Sequence, residues 1–442
     1  MKELPTSAPR SKLPSIVANS ALGGVLGGSL AAALVIGFTE VLKAMLAVVS
    51  EQPTWVLIVV PLVGLALSDL VLYGFGLSTK TESVEPPVRA RAWRTFAAGA
   101  SRSDLTGDMV ECAGEEEHFP WRLAPIRMLA MVATVGLGAA MGTEKPAAYI
   151  GEAIGAALGD RWWRPFLRPA AVGGAAAGIA TLIGIPLVGT AYILELGRRH
   201  HAPLNAERVT AALMGGYVGW LLHVALRVDL LRLVVPKEPP HTFYQAMITA
   251  LVIGVLSGTI TAITATAIDR AKAFKAKPIV RLALGALGLG AAAVILSVIA
   301  SPSAAVGPGG GAITWVESAK ASALTVLAVD ILRAAATTSA AAAGGCGGLF
   351  VPFLAVGDLA GRVFAPSLRV PGDVAGAAGA AGGISGGYHL PFTAVFMVLG
   401  QGGPRLAMLT CLATVVVAGC AGALVARLVG HSYIEKRPHQ LD

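Results

Sequence analysis

Glu144 is a carboxylate set in a long apolar stretch, MVATVGLGAAMGTEKPAAYIGEAIG (131–155), with Gly142 two residues before it and Pro146 two residues after. An ionisable group inside hydrocarbon is costly and marks a functional candidate. Proline fits the first turn of a helix, where its missing N–H would have no partner anyway. GTEKP (142–146) therefore reads as a helix N-terminus, and GLFVP (348–352) reads as a second one, with Phe350 where the first has Glu144. A helix N-terminus presents unpaired N–H groups and the positive end of the dipole, both of which suit an anion. Glycine removes side chains that would block close approach. Two such termini converging in a low-dielectric interior could hold a small anion without a full positive charge, so that the ion can also leave. Ionised, the Glu144 carboxylate could occupy such a site as a tethered mimic of the ion; protonated, it would lose that attraction and swing away. The blander alternative is an interfacial Glu144–Lys145 pair at a helix end.

An internal repeat tips this choice toward a gate. GTEKPAAYIGEAIG (142–155) lies over GLFVPFLAVGDLAG (348–361), matching Gly142 with Gly348, Pro146 with Pro352, Gly151 with Gly357 and Gly155 with Gly361. At nearly the same offset AAGIATLIGIPLVGTAYIL (176–194) lies over AGGISGGYHLPFTAVFMVL (381–399), with Gly178 on Gly383 and Pro186 on Pro391. Either block alone could be chance likeness between glycine- and alanine-rich helices; two in order point to a duplicated membrane unit. Duplicated transporters bind substrate at the repeat interface near the midplane. Inversion of one half is expected, because it brings equivalent broken helices to the centre from opposite sides.

The elements that position these motifs are membrane helices. Hydrophobic residues make up 55% of the 442 and charged residues only 14%, with a mean hydropathy of +0.69. A soluble domain carries about a quarter charged residues. Apolar runs near 13–50, 54–77, 122–141, 169–196, 242–268, 278–300, 320–343 and 404–430 are long enough for helices to cross the bilayer, and the shorter runs 146–158 and 349–364 suit helices that break or re-enter. The net charge of +8 is no nucleic-acid signal: the basic residues, such as Arg89, Arg91, Arg94, Arg198 and Arg199, sit in short connections and read as topology determinants. Both termini are basic, so both are expected on the cytoplasmic side, and the first apolar run is too long for a signal peptide. The cysteines lack metal-ligand spacing, and no metal-ligand cluster or cofactor motif is present.

These residues resemble the CLC family of chloride channels and chloride/proton antiporters. WRLAPIRMLAMVATVGLGAAMGTEKP (121–146) resembles that family's run leading into Gly-[Lys/Arg]-Glu-Gly-Pro, GGLFVPFLAVG (347–357) its Gly-x-Phe-x-Pro motif, and IGIPLVGTAYILELGRR (183–199) the helix that precedes a glutamate pair. Tyr433, in GHSYIEKR, falls where the family places an anion-coordinating tyrosine. The resemblance covers roughly residues 54–437. It implies an all-α polytopic membrane protein built as an inverted repeat with broken and re-entrant helices, in the plasma (inner) membrane, assembled as a homodimer with one anion pathway per subunit. The transmembrane domain is expected over 1–430, with repeat one at about 54–230 and repeat two at about 242–430, and residues 431–442 as a cytoplasmic tail without a regulatory domain.

Carried over residue by residue, the resemblance makes Glu144 the gate and places Gly142, Pro146, Leu349, Phe350 and Tyr433 at the anion site. Phe75 and Gly76, in GFGLS (74–78), stand where the family has Gly-Ser-Gly-Ile-Pro. Phe75 replaces a coordinating serine, Ser78 a proline and Lys145 a glycine. Where antiporters carry a second, inner glutamate for protons, this register has Leu196, with Glu195 one position earlier as the possible proton path. The reading that follows is transport of chloride or a similar small anion, with proton coupling weak or absent; a proton-coupled antiporter of chloride or fluoride is the alternative. The polar stretch 79–120 looks like an insertion.

Two other readings carry less. GISG (383–386), with His389 or His431 as base, fits an intramembrane serine protease, but its repeat partner GIAT (178–181) has no serine. A cation or organic-solute transporter sharing the broken-helix plan would want more acidic groups in the core than Glu144, Glu152, Glu195 and Asp330. Asp358, which follows the second motif in its helix, reads as a capping or pairing residue.

Overall fold

The computed structural model describes residues 13–77, 119–161, 164–199, 202–227, 242–273, 277–319, 321–401 and 409–429. Among them regular structure is helical, with one isolated bridge between Gly142 and Gly348. The first half holds α1 (Leu13–Ser50), α2 (Thr54–Leu77), α3 (Ala124–Met131), α4 (Glu144–Arg161), α5 (Leu167–Ile183), α6 (Pro186–Arg199) and α7 (Ala206–Ala225). The second holds α8 (Phe243–Ala273), α9 (Pro278–Ile299), the short α10 (Pro302–Ala305), α11 (Gly310–Ser318), α12 (Ala323–Ala342), α13 (Phe350–Leu368), α14 (Gly372–Tyr388), α15 (Pro391–Gln401) and α16 (Leu409–Val429). Among the described residues, eight helical stretches are long and apolar enough to cross a membrane.

The halves pack alike. α4 lies on α5, and α1 covers α5 and α7; correspondingly α13 lies on α14, and α8 covers α14 and α16. Small residues make the central contacts. A methyl group on Gly151 or Gly174 would overlap the carbonyl oxygen of the other, and Gly357 and Gly379 repeat that relation. Close backbone approach of this kind is how helices associate where lipid removes the hydrophobic drive.

Two apolar runs that could each form one span do not. The run at 122–141 folds as α3, a π-helical turn at Val132–Gly136, and an irregular stretch that passes Gly138 at φ +92°. Gly344, 206 positions later, has the same φ, a left-handed conformation that glycine adopts without penalty. The run at 169–196 breaks at Gly184, φ +75°, which ends α5 before Pro186 opens α6. Irregular backbone at membrane depth requires burial in protein. Ala139, Ala140 and Leu349 are fully buried, and Thr134 Oγ1 accepts the Cys346 N–H at 3.1 Å, tying the two irregular stretches together.

The bridge shows how the repeats are related. Gly142 N–H donates to Gly348 O at 2.8 Å, and Gly348 N–H donates to Gly142 O at 2.7 Å. Repeat-equivalent residues thus pair reciprocally and antiparallel, as a local two-fold axis requires. Two residues beyond the pair, α4 and α13 start from one centre and leave it in opposite directions. This is the inverted arrangement with broken helices.

Candidate functional site

The site is built where those helices begin. Glu144, fully buried, opens α4, and its Oε1 accepts the backbone N–H of Phe350, the first residue of α13, at 2.5 Å. Oε2 is buried with no hydrogen-bond partner among the described residues. The carboxylate lies between the paired glycines: a methyl group on Gly142 or on Gly348 would overlap it. A negative group therefore sits on the N-terminus of the opposite repeat's helix, where backbone donors and dipole favour it.

Aromatic side chains wall the site. Tyr388 OH, at the end of α14, accepts the Leu349 N–H at 3.3 Å. The Tyr388 ring meets Phe350 and Phe353 edge-on at 5.8 and 5.6 Å, and Tyr192 from α6 meets Phe350 at 6.0 Å. Lys145, only 2% exposed, places Nζ 5.7 Å from the centre of the Tyr388 ring. It is a buried site residue, not an interfacial one. Behind α4, Arg127 donates to Tyr149 OH at 3.3 Å and lies over that ring, fixing α3 against the helix that carries Glu144. A cavity of about 390 Å³ opens between α1 and the α10–α11 segment. Lys43 and Ser303 are on its walls, and Thr143 and Val351, chain neighbours of Glu144 and Phe350, line it as well.

Gly142, Glu144, Leu349 and Phe350 meet at this point, and Pro146 is buried in the first turn of α4. Phe75 and Gly76 fall in the last turn of α2, where side chains lie outside the described residues, as does all of Tyr433. Glu195 is elsewhere: its carboxylate accepts the N–H groups of Phe392 (3.0 Å) and Thr393 (2.7 Å) and the Thr393 hydroxyl, capping the start of α15 in the other repeat. Glu195→Gln removes the charge from that cap, and a helix cap contributes about 1 kcal/mol. The expected result is a variant that folds with a slightly lower melting temperature; an unchanged melting temperature would show the cap to be energetically idle.

Sequence reasoning did not select Gly348, Tyr388 or Tyr192 as site residues. The first stood in the repeat alignment, and Tyr388 is a lone large side chain closing a glycine-rich helix, which was a signal available. Ser385, the nucleophile of the protease reading, is buried in α14 with no hydrogen-bond partner for Oγ among the described residues, so no Ser385–His389 pair is assembled.

Residues 89–431 match the voltage gated chloride channel family. The chain belongs to it. The H(+)/Cl(-) exchange transporter ClcA of Citrobacter koseri is 24% identical over 88% of this chain and 82% of its own length. The fold is similar to that of a CLC-type fluoride/proton antiporter (TM-score 0.69, 22% identity, covering 98% of this chain and 99% of the other). It is also similar to a slow cyanobacterial Cl-/H+ antiporter (TM-score 0.68, 20% identity, 93% and 95%). As a member of this family the chain is an integral membrane protein.

Proposed function

We propose that each subunit moves chloride or a similar small anion across the bilayer along a path that Glu144 gates. The observation that carries this reading is the position of the carboxylate: a negative group, fully buried, held by the first N–H of α13 between two glycines. What binds a carboxylate there binds an anion once the carboxylate leaves. The 390 Å³ cavity reaching Thr143 and Val351 supplies an approach from one side, and Tyr433 and the Phe75–Gly76 segment are assigned to the remainder of the path by their place in the family motifs. We assign repeat two to about 242–430 and a cytoplasmic tail to 431–442; repeat one, expected over about 54–230, is taken to reach back to α1, because α1 packs on α5 and α7 as α8 packs on α14 and α16. The protein is taken to be a homodimer in the inner membrane with both termini cytoplasmic; mass measurement in detergent that found only monomer would overturn the dimer.

Proton coupling is read as weak or absent, because Leu196 cannot carry a proton and Glu195 is engaged as a cap. Coupled antiport is the second reading, and the names of the relatives favour it: ClcA and both solved structures are proton-coupled. Purified protein in liposomes decides between them when chloride efflux and chloride-driven proton uptake are recorded together. Efflux without uphill proton movement is expected. Robust uphill uptake would establish antiport, and its loss in Glu195→Gln would make Glu195 the inner proton carrier. No anion flux at all would refute the transport reading itself.

A further inference from the structure

The wall of the cavity between α1 and the α10–α11 segment is held from behind by Arg333, a residue of α12 that is 1% exposed. Its Nη1 donates to Ala304 O (3.2 Å) and Ala305 O (3.3 Å), and its Nη2 donates to Gly307 O (2.8 Å). A carbonyl oxygen committed to a buried guanidinium cannot also face an anion in the cavity. Gly307, which lines the cavity, is fixed at its other end too: its N–H donates to Gly138 O at 2.9 Å, in the irregular stretch that leads to Glu144.

The polar groups left on the cavity side include donors. α11 begins at Gly310 without a side-chain cap, after Gly309 at φ +120°, and Gly310 and Gly311 line the cavity. An uncapped helix start presents N–H groups and the positive end of the dipole. It is also open, since a methyl group on Gly310 would meet nothing within 4 Å. Lys43 lines the space from α1, and the hydroxyl-bearing Thr143, 7% exposed, lines it beside Glu144. Lys43 pairs with Glu40 at 3.9 Å, both side chains about half exposed. Such a pair contributes little, and an ammonium has three donors to share.

A second, independent observation points to an anion at the same helix start. Arg333 Nε is buried without a hydrogen-bond partner among the described residues. It faces the residue before α11: a methyl group on Gly309 would lie 3.9 Å from Nε and 3.5 Å from Nη2. Asp330, one turn earlier on α12, does not bond to it, because neither of its carboxyl oxygens has a hydrogen-bond partner among the described residues. We propose that this cavity is a second anion site, separate from the place held by the Glu144 carboxylate. It binds a small anion such as chloride on the open start of α11, with Lys43 on the α1 side and Arg333 behind the wall. The volume of about 390 Å³ leaves room for several waters at about 30 Å³ each, so the ion keeps part of its hydration shell and is held weakly enough to leave. Binding requires only the cavity and its donors; that the ion then moves on to the place of Glu144 rests on the transport reading.

The test is anomalous diffraction from crystals of the whole protein grown in bromide, which substitutes for chloride and can be located directly. One bromide per chain is expected beside Gly310, with an occupancy that falls when chloride competes. Gly310→Asp places a carboxylate in the open space at the helix start, a position that favours a negative side chain and so leaves the fold intact. It should lower bromide affinity at least tenfold and empty the site, whereas Gly310→Asn, of the same size and neutral, should keep the ion. A wild-type cavity without bromide overturns the proposal, as does bromide that stays in Gly310→Asp or is lost equally in Gly310→Asn. Bromide found solely between crystal neighbours would be an adventitious ion only and would count against the site. Bromide in the cavity of a protein that passes no anion in liposomes would uphold the site and refute the transport reading, so the two failures are distinguishable.

Discussion

Liposomes carrying Glu144→Gln should pass anions at a rate that scarcely changes with pH, whereas wild-type flux should rise as the pH falls. The sign follows from which form of the side chain competes with the ion. The charged carboxylate sits on the Phe350 N–H and excludes a second negative charge, while the protonated acid gains little there and yields the position. Acid therefore opens the wild type, and base closes it. A gate worked by a single proton changes its open fraction at most about tenfold per pH unit, about 1.4 kcal/mol. The glutamine side chain of the variant has no proton to lose, so its profile flattens near the level of the protonated wild type. A Glu144→Gln variant that keeps the wild-type pH profile would show that Glu144 is not the gate and that the pathway lies elsewhere.

Gly348→Ala should have the opposite effect and close the path at every pH. A methyl group on Gly348 would overlap the Glu144 carboxylate, and on the proposed reading that volume is where the anion binds. The substitution displaces the carboxylate and fills its place with a group that can accept no hydrogen bond. Loss of hydrogen bonding to a charged species costs about 1.5–3 kcal/mol, so flux should fall by roughly 10- to 100-fold. The Gly142–Gly348 bridge uses only backbone atoms and survives the change, so the fold should too. Combining Glu144→Gln with Gly348→Ala separates the causes: the double variant should remain slow, because the methyl group and not the carboxylate blocks the path. If it recovers the flux of Glu144→Gln, Gly348 does not line the pathway.

Much of this could be read from particular residues. Proline two positions after Glu144 and after Phe350 marked both helix starts, because proline loses nothing in a first turn. The helices do begin at those two residues. Glycines at constant offset revealed the duplication, since close helix contacts cannot accept a Cβ. The spans were less legible. Hydropathy measures transfer to lipid and is blind to where a buried chain bends, so the runs at 122–141 and 169–196 looked continuous. Gly138 and Gly184, whose left-handed backbone breaks them, are two among 54 glycines.

The amino-acid sequence by itself determined the solvent, the helical class, the duplication and the presence of a carboxylate at a helix start, because each depends on composition or on spacing along one chain. Tertiary structure decided what each charge meets. Lys145, for which the sequence left an interfacial pair open as the blander alternative, is buried over Tyr388. Glu195, next in register to a proton carrier, caps a helix of the other repeat 197 residues away. Glu144 receives its hydrogen bond from Phe350, 206 residues distant. Partners so far apart in sequence meet only through the two-fold pairing of the repeats, which is a property of how helices pack and not of any local stretch of residues.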